Sequence, residues 1–139
     1  MPKTTLSDNR VQALLAAREI AVLATLQVSG APLAMAMWFV HDRGGLTMIS
    51  QANTQKVHNL RRDPRASVAV ENADAAGLCG VSIQGAVSFL DDSADRAPYL
   101  EALLARYGNR LIHIWGGREM PPDRVMFRLP PDKVFLTAP

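Results

Sequence analysis

The chain has little of several things that would define a functional class. It holds a single cysteine, Cys79, so no internal disulfide can form, and its 3 histidines stand one by one rather than at the spacing of a zinc site. A net charge of only +2 and an aromatic content of 6% disfavour a nucleic-acid-binding barrel, which needs clustered basic residues and stacking side chains. The longest uncharged apolar run, Ala31 to Val40, is too short to span a bilayer. We therefore expect no metal, no nucleic acid and no membrane.

What is present indicates an ordinary globular protein. Hydrophobic residues make up 48% of the chain and charged residues 20%, a composition that excludes wholesale disorder. The length of 139 residues predicts a single domain over 1–139, small enough that a partner subunit would help to bury apolar surface. The N-terminal segment lacks the hydrophobic region of a signal peptide, so we expect a cytoplasmic protein.

The spacing of apolar residues predicts a mainly β protein. Strands are predicted over 20–28, 32–40, 47–50, 66–71, 79–90 and 124–129, with an extended tail over 133–136. The first three strands are predicted to form an antiparallel meander. Helices are predicted from Ser7 or Asp8 to about Arg18, over 55–62, and from 91–95 to Gly108, followed by an irregular loop over 109–123. This order indicates an antiparallel barrel with peripheral helices.

The segment from Thr47 to Arg65 carries the strongest functional signal from the residues alone. Thr54 has the character of an N-cap whose hydroxyl accepts from a first-turn amide, and the helix it opens ends before Pro64. Lys56 then faces the positive end of the helix dipole, which costs about 0.3–1 kcal/mol unless an anion is bound there. Free amides, a hydroxyl and an ammonium group make a phosphate site; the alternative is that Lys56 is simply solvated.

The predicted strand over 32–40 has two unequal faces. One face holds the bulky residues Leu33, Met35, Met37 and Phe39. The other face holds two small residues, Ala34 and Ala36, and has a large side chain only at its last position, Trp38. Small side chains there would let a flat ligand reach the backbone, or would let a neighbouring helix pack closely. Gly85 interrupts the core face of a later strand, which indicates a bulge, a barrel corner or close backbone approach.

Five short segments, in this order along the chain, resemble the pyridoxamine 5'-phosphate oxidase-like FMN-binding split-barrel family. They are Val22–Leu26, Gly30–Pro32, Met37–Phe39, Thr54–Lys56 with Asn59–Arg65, and Gln84–Ala86. The pattern most resembles the subgroup of flavin/deazaflavin oxidoreductases that use coenzyme F(420). The resemblance implies a six-stranded antiparallel split β-barrel that forms a homodimer, with the cofactor bound at the subunit interface.

The resemblance also implies the residues that bind the cofactor. The phosphate would lie around Ser50 to Lys56, with Lys56 as its main contact. Weaker candidates for the same end are Gln51, Thr54, Asn59 and Arg61. The ring system would lie along the strand residues Met35, Ala36, Met37 and Trp38, and Trp115 would close the groove from the other subunit.

The function implied is hydride transfer from reduced F(420) to an unsaturated small-molecule substrate. One alternative is an FMN-dependent reductase or oxidase of the same fold, and another is a protein that binds the cofactor without turnover. Arg61, Arg62 and Arg65 are the candidates for the acidic tail of F(420), which FMN lacks. Oxidation of pyridoxamine phosphate itself is disfavoured, because the C-terminal arginine and histidine pattern of that enzyme is missing. No residue is assigned a catalytic role: Tyr107, His58 and His113 are each expected to be packed or exposed.

Overall fold

Two antiparallel sheets, with three helices packed against them, make up the fold. The computed structural model describes residues 2–74 and 77–138, and within these it contains ten strand segments. In chain order the elements are β1 (Lys3–Thr4), α1 (Asn9–Ala17), β2 (Ile20–Leu26), β3 (Pro32–Trp38), β4 (Val40–Asp42), β5 (Gly45–Gln51), α2 (Gln55–Arg62), β6 (Arg65–Asp74), β7 (Gly77–Ala86), β8 (Ser88–Phe89), α3 (Ser93–Trp115), β9 (Arg124–Leu129) and β10 (Pro131–Thr137). The predicted mainly β architecture with peripheral helices is confirmed.

The larger sheet has the strand order β1-β10-β7-β6-β2-β3, and the smaller one β4-β5-β9-β8. Every described pair is antiparallel. The inner faces of both sheets pack on one core with α1, and fully buried side chains such as Leu15, Leu23, Ile83 and Phe127 lie at its centre. Helix α3 covers the smaller sheet through a second cluster.

Strand β2 alternates between core and surface, as a strand with one covered face must. Its residues Ala21, Leu23 and Thr25 are buried, whereas Ile20 and Val22 are 47% and 43% exposed. Because both of its faces are apolar, this strand is expected to be central in its sheet or covered. It lies between β6 and β3, and its outer face is open within the single chain. The larger sheet therefore presents an apolar outer face.

The predicted strand over 32–40 is two strands, so the two antiparallel pairings of the predicted meander are present but lie in different sheets. Strand β3 pairs with β2, but the chain then leaves the larger sheet at Phe39, and β4 pairs with β5 in the smaller sheet. The backbone N–H of Phe39 donates to the hydroxyl of Tyr107 at 2.8 Å, and the Phe39 carbonyl accepts from the same hydroxyl at 2.8 Å. A side chain from α3 thus satisfies the backbone groups that the break removes from sheet pairing.

Helix α2 and strand β9 have the predicted bounds. Strand β6 is longer than predicted, and its pairing with β7 runs to Asp74 and Gly77. The predicted strand over 79–90 begins earlier, at Gly77, and is divided: β7 ends at Ala86, and β8 pairs with β9 in the smaller sheet. Gly85 lies where another backbone segment approaches closely, which is one of the three explanations predicted for this glycine. A Cβ placed there would lie 2.3 Å from the Pro130 carbonyl oxygen.

Helix α3 extends beyond its predicted end. Gly108 does break the regular backbone, with φ 51° and ψ −125°, but a second helical segment follows and ends at Trp115. The irregular stretch is therefore shorter than the predicted loop. Pro98 lies inside this helix, beyond its first turn, and the helix accommodates it. No helix in the described ranges is long and apolar enough to cross a bilayer.

Candidate functional site

A cleft of about 300 Å³ opens where the two sheets meet the start of α2 and the side of α3. Residues from five elements line it: Ala36, Met37 and Trp38 of β3; Ile49, Ser50 and Gln51 of β5; Thr54 and Lys56 at the start of α2; Leu103, Leu111, Ile114 and Trp115 of α3; and Arg124 of β9. We call it the Lys56 cleft. It combines an apolar floor with one end that carries hydroxyls and cations.

Eight of the eleven residues predicted for the site line this cleft. They are Ala36, Met37, Trp38, Ser50, Gln51, Thr54, Lys56 and Trp115. The structure thus brings together the small-residue strand, the start of α2 and Trp115. This tryptophan lines the cleft of its own chain, whereas the resemblance implied that it closes the groove from the other subunit. Ala36 is exposed rather than packed under a helix, so the small face of β3 leaves open space in the cleft.

The other three predicted residues lie elsewhere. Asn59 is fully buried, where its amide donates to the Thr25 hydroxyl at 3.0 Å and accepts from Gln55 at 2.8 Å, so it ties α2 to β2. The Arg61 guanidinium stacks on the Phe89 ring at 3.5 Å, outside the cleft. Met35 is 42% exposed at the edge strand and does not line the cleft.

Lys56 is half-buried in the first turn of α2, and within residues 2–74 and 77–138 no carboxylate or other acceptor pairs with it. Burial lowers the pKa of its ammonium group below the usual value, because the charged form loses hydration without gaining a counter-charge. A bound anion would supply that charge. The ammonium group of Lys56 therefore has no counter-charge in the described part of the ligand-free protein.

The start of α2 is open in a way that the sequence does not predict. Thr54 is the N-cap, as expected, but its hydroxyl does not accept from a first-turn amide; it donates to the Gln51 carbonyl at 3.1 Å and lies 3.2 Å from the Ser50 hydroxyl. No side-chain oxygen caps the helix, so its first N–H groups keep their capacity for another acceptor. Hydroxyls, free amides and an ammonium group fit a phosphate.

Trp38 forms one wall of the cleft and is held from behind by α3. Its ring stacks on Tyr107, with the centroids 4.7 Å apart and the planes 13° from parallel. Arg110 lies 5.5 Å from the same indole and pairs with Glu19 at 2.8 Å. These contacts fix the orientation of the indole, and therefore the shape of this wall.

Arg124 lines the cleft and is a residue that sequence reasoning missed. It stands opposite Gln51 in the β5–β9 register, and its side chain is only 14% exposed. The available signal was weak: a basic residue at the start of a strand has no motif, and its place beside the cleft depends on the pairing of two strands far apart in sequence.

The residues named as possible proton donors lie outside the cleft lining. Tyr107 is buried, its hydroxyl also lies 2.8 Å from the Glu19 carbonyl, and burial raises its pKa. His58 and His113 are exposed. No group of three or more His, Cys, Asp or Glu side chains is placed to hold a metal ion in the part of the chain that the structure describes.

A second, larger hollow of about 410 Å³ lies on the outer face of the larger sheet, between β2, β6, β7 and β10. Arg65 and Lys133 line it, but Arg65 pairs with Asp63 at 2.8 Å and Asp132 stands beside Lys133. The lining of this hollow thus contains a carboxylate and a paired arginine, whereas Lys56 in the smaller cleft has no counter-charge in the described residues. The smaller cleft is the better candidate for an anionic ligand.

The family model for pyridoxamine 5'-phosphate oxidase matches residues 7–138, almost the whole sequence. The chain belongs to the pyridoxamine 5'-phosphate oxidase family. Its fold is accordingly the split barrel of that flavin-binding family, which confirms this part of the predicted resemblance. The F(420) subgroup and the homodimer stay predictions.

Solved structures share the fold of this family member at low sequence identity. A conserved hypothetical protein of Mycobacterium tuberculosis has a TM-score of 0.79 at 24% identity, over 94% of this chain and 83% of that one. The heme storage protein of Vibrio cholerae has a TM-score of 0.75 at 18% identity (96% and 95% covered), and a FAD-binding protein of Mesorhizobium loti 0.73 at 19% (99% and 100%). At such identities the likeness describes the fold alone.

Proposed function

We propose that this protein is an oxidoreductase that holds a phosphate-bearing flavin-type cofactor in the Lys56 cleft. The proposed cofactor is coenzyme F(420), and the reaction is hydride transfer to an unsaturated small molecule. The observation that carries the proposal is the half-buried, unpaired Lys56 at the uncapped start of α2. Membership of a flavin-binding family supports it.

In this proposal one end of the cleft binds the phosphate of the cofactor and the other end binds its ring. At the polar end, the Lys56 ammonium and the hydroxyls of Ser50 and Thr54 bind the phosphate. At the other end, Ala36 leaves room for a flat ring, while Trp38 and Trp115 flank it and exclude water. The cofactor, when bound, supplies the hydride, so the protein needs only to bind, orient and shield it.

The apolar outer face of the larger sheet supports the proposed homodimer. Ile20, Val22 and Leu78 are 43–58% exposed there, and two hollows of about 410 and 290 Å³ interrupt the same sheet. Contiguous apolar surface of this kind marks an interaction site in a soluble protein. We propose that a second copy covers it and that the cleft is completed at that interface.

FMN is the alternative cofactor, and one observation favours it. The three arginines predicted for the acidic tail of F(420) already have partners: Arg61 lies on Phe89, Arg65 pairs with Asp63, and Arg62 donates to the Leu26 carbonyl. A tail would have to displace these contacts or use another cation.

A protein that binds the cofactor without turnover is the second alternative. It is favoured by the cleft lining itself, which offers no Asp, Glu, His or Tyr to donate a proton to a reduced substrate. In the oxidoreductase, that proton would come from solvent or from the partner subunit.

The test is to titrate cofactor-free protein with F(420) and, separately, with FMN while following the fluorescence of Trp38 and Trp115. A sizing column reports the dimer, and reduced cofactor with an unsaturated acceptor reports turnover. Tight binding of F(420) with hydride transfer supports the proposal. FMN binding alone selects the first alternative, binding without turnover selects the second, and binding of neither removes Lys56 from a cofactor site.

A further inference from the structure

Arg124 is a second cation in the Lys56 cleft, and neither the predicted site nor the fold explains it. Its guanidinium lines the cleft together with Lys56, and no carboxylate shares that lining. Two positive charges that line one partly enclosed space favour a ligand that brings negative charge. Lys56 alone would be enough for a ligand that carries a single negative charge.

The hydrogen-bonding of Arg124 is incomplete for a residue this enclosed. A guanidinium has five N–H donors. Only one contact is made in the described part of the chain, from Nη1 to the Asp123 carboxylate at 2.5 Å, and Asp123 is its chain neighbour with a side chain 70% exposed. No side-chain nitrogen of Arg124 is both buried and unsatisfied, so its remaining donors are open to solvent.

Other arginines of the chain show what a structural role looks like. Arg128, on the same strand and similarly enclosed, makes two bonds to Asp42 at 2.7 and 2.9 Å and a third to Thr47 at 3.0 Å. Arg110 makes two bonds to Glu19, at 2.8 and 3.0 Å. Arg124 lacks such bidentate pairing in the described residues, and its other donors stay free for a ligand.

We propose that Arg124 binds the ligand of the Lys56 cleft directly and that, with Lys56, it selects a ligand that brings two negative charges to this end. The inference rests on the proposed function and narrows its ligand class. Two sources have the required chemistry: a phosphate monoester, as in FMN, or a phosphodiester together with a carboxylate, as in F(420). Asp123 occupies one donor of Arg124 in the ligand-free protein and exchanges for the ligand anion on binding.

Arg124→Gln is the test, with Arg118→Gln as the control, because Arg118 is exposed and outside the cleft. Each variant is titrated with riboflavin, FMN and F(420), and its unfolding temperature is measured without ligand. Loss of a charged contact weakens binding of the double anion by roughly 10- to 100-fold. Riboflavin, which has no phosphate, should bind as it does to the unaltered protein, whereas a misfolded or misshapen cleft would weaken all three ligands.

Two companion variants extend the test. Arg124→Lys should recover part of the lost affinity, since it restores the charge but not the fork of donors. Asp123→Asn should tighten binding by roughly two- to fivefold, because it removes the competing exposed ion pair.

The pattern of loss identifies the source of the charge. Weakened FMN binding with unchanged F(420) binding identifies the monoester, and the reverse identifies the phosphodiester with its carboxylate; both support the inference. Unchanged affinity of Arg124→Gln for both, or an equal loss for riboflavin, overturns it. If Lys56→Met weakens binding and Arg124→Gln does not, the inference fails while the proposed function stands. If the unaltered protein binds no flavin or deazaflavin, both fail.

Discussion

Replacing Lys56 by methionine should make the free protein more stable and its ligand complex weaker. Methionine keeps the unbranched shape and the helix propensity of lysine, so the change removes little more than the charge. In the free protein that charge lies at the unfavourable end of the α2 dipole, is half-buried and has no described partner. Removing it from the first turn should stabilise the fold by about 0.3–1 kcal/mol, a rise in unfolding temperature of roughly 1–4 °C.

In the proposed complex the same charge would contact the phosphate. A hydrogen bond to a charged group contributes about 1.5–3 kcal/mol, so the affinity of Lys56→Met for a phosphate-bearing cofactor should fall roughly 10- to 150-fold. The two measurements are thermal unfolding of the free protein and a fluorescence titration with FMN or F(420). Lys3→Met, at an exposed position outside the cleft, is the control and should change neither quantity. A variant that is less stable without ligand, or that binds the cofactor as well as the unaltered protein, would refute the reasoning.

Four further predictions concern the walls, the junction and the outer face. Ala36→Leu should abolish ring binding without lowering the unfolding temperature, because Ala36 is exposed to the cleft; Ala36→Ser should still bind, and full binding by the leucine variant would place the ring elsewhere. Tyr107→Phe should cost about 1–3 kcal/mol in urea unfolding, since the buried N–H of Phe39 loses its acceptor; a loss below about 0.5 kcal/mol would contradict the role given to this hydroxyl. Burial and the charge of Arg106 lower the pKa of His41 below 6.5, so on acidification the unfolded chain takes up a proton first, and stability should fall as the pH drops from 6.5 towards the lowered native value. Removing the imidazole in His41→Gln should flatten that part of the pH profile, and an unchanged profile would assign it to other groups. Val22→Asp should convert the proposed dimer to a monomer on a sizing column, and an unshifted elution volume would mean that this face is not the interface.

Local patterns predict the elements whose ends are set locally. Helix α2 ends before Pro64, which disfavours helix at the residue before it. It begins after Thr54, as predicted, although the predicted capping bond is not formed. The break between β3 and β4 has no such signal, because apolar alternation runs through Phe39 without a glycine or proline. What ends β3 is the hydroxyl of Tyr107, a residue far along the chain, and no local pattern contains that contact.

The residues of the candidate site also differ in whether the local sequence predicts their roles. Lys56 is recognisable from sequence because a cation in a first helical turn conflicts with the dipole. The resemblance implies that Asn59 contacts the ligand, yet its buried amide bonds Thr25 and Gln55, which only the packing of α2 on β2 reveals. Arg124 needs the strand register, since nothing in its neighbourhood in sequence distinguishes it from a solvated arginine.

The stack of Trp38 on Tyr107 has a consequence for the thermodynamics of binding. A side chain that is first immobilised by its ligand loses rotamer freedom at that moment, typically about 0.5–1.5 kcal/mol. The indole of Trp38 is already confined by Tyr107 behind it, whose own hydroxyl is fixed to the backbone of Phe39. That entropy is lost when the chain folds rather than when the ring arrives, so the ligand meets a wall already in its bound shape.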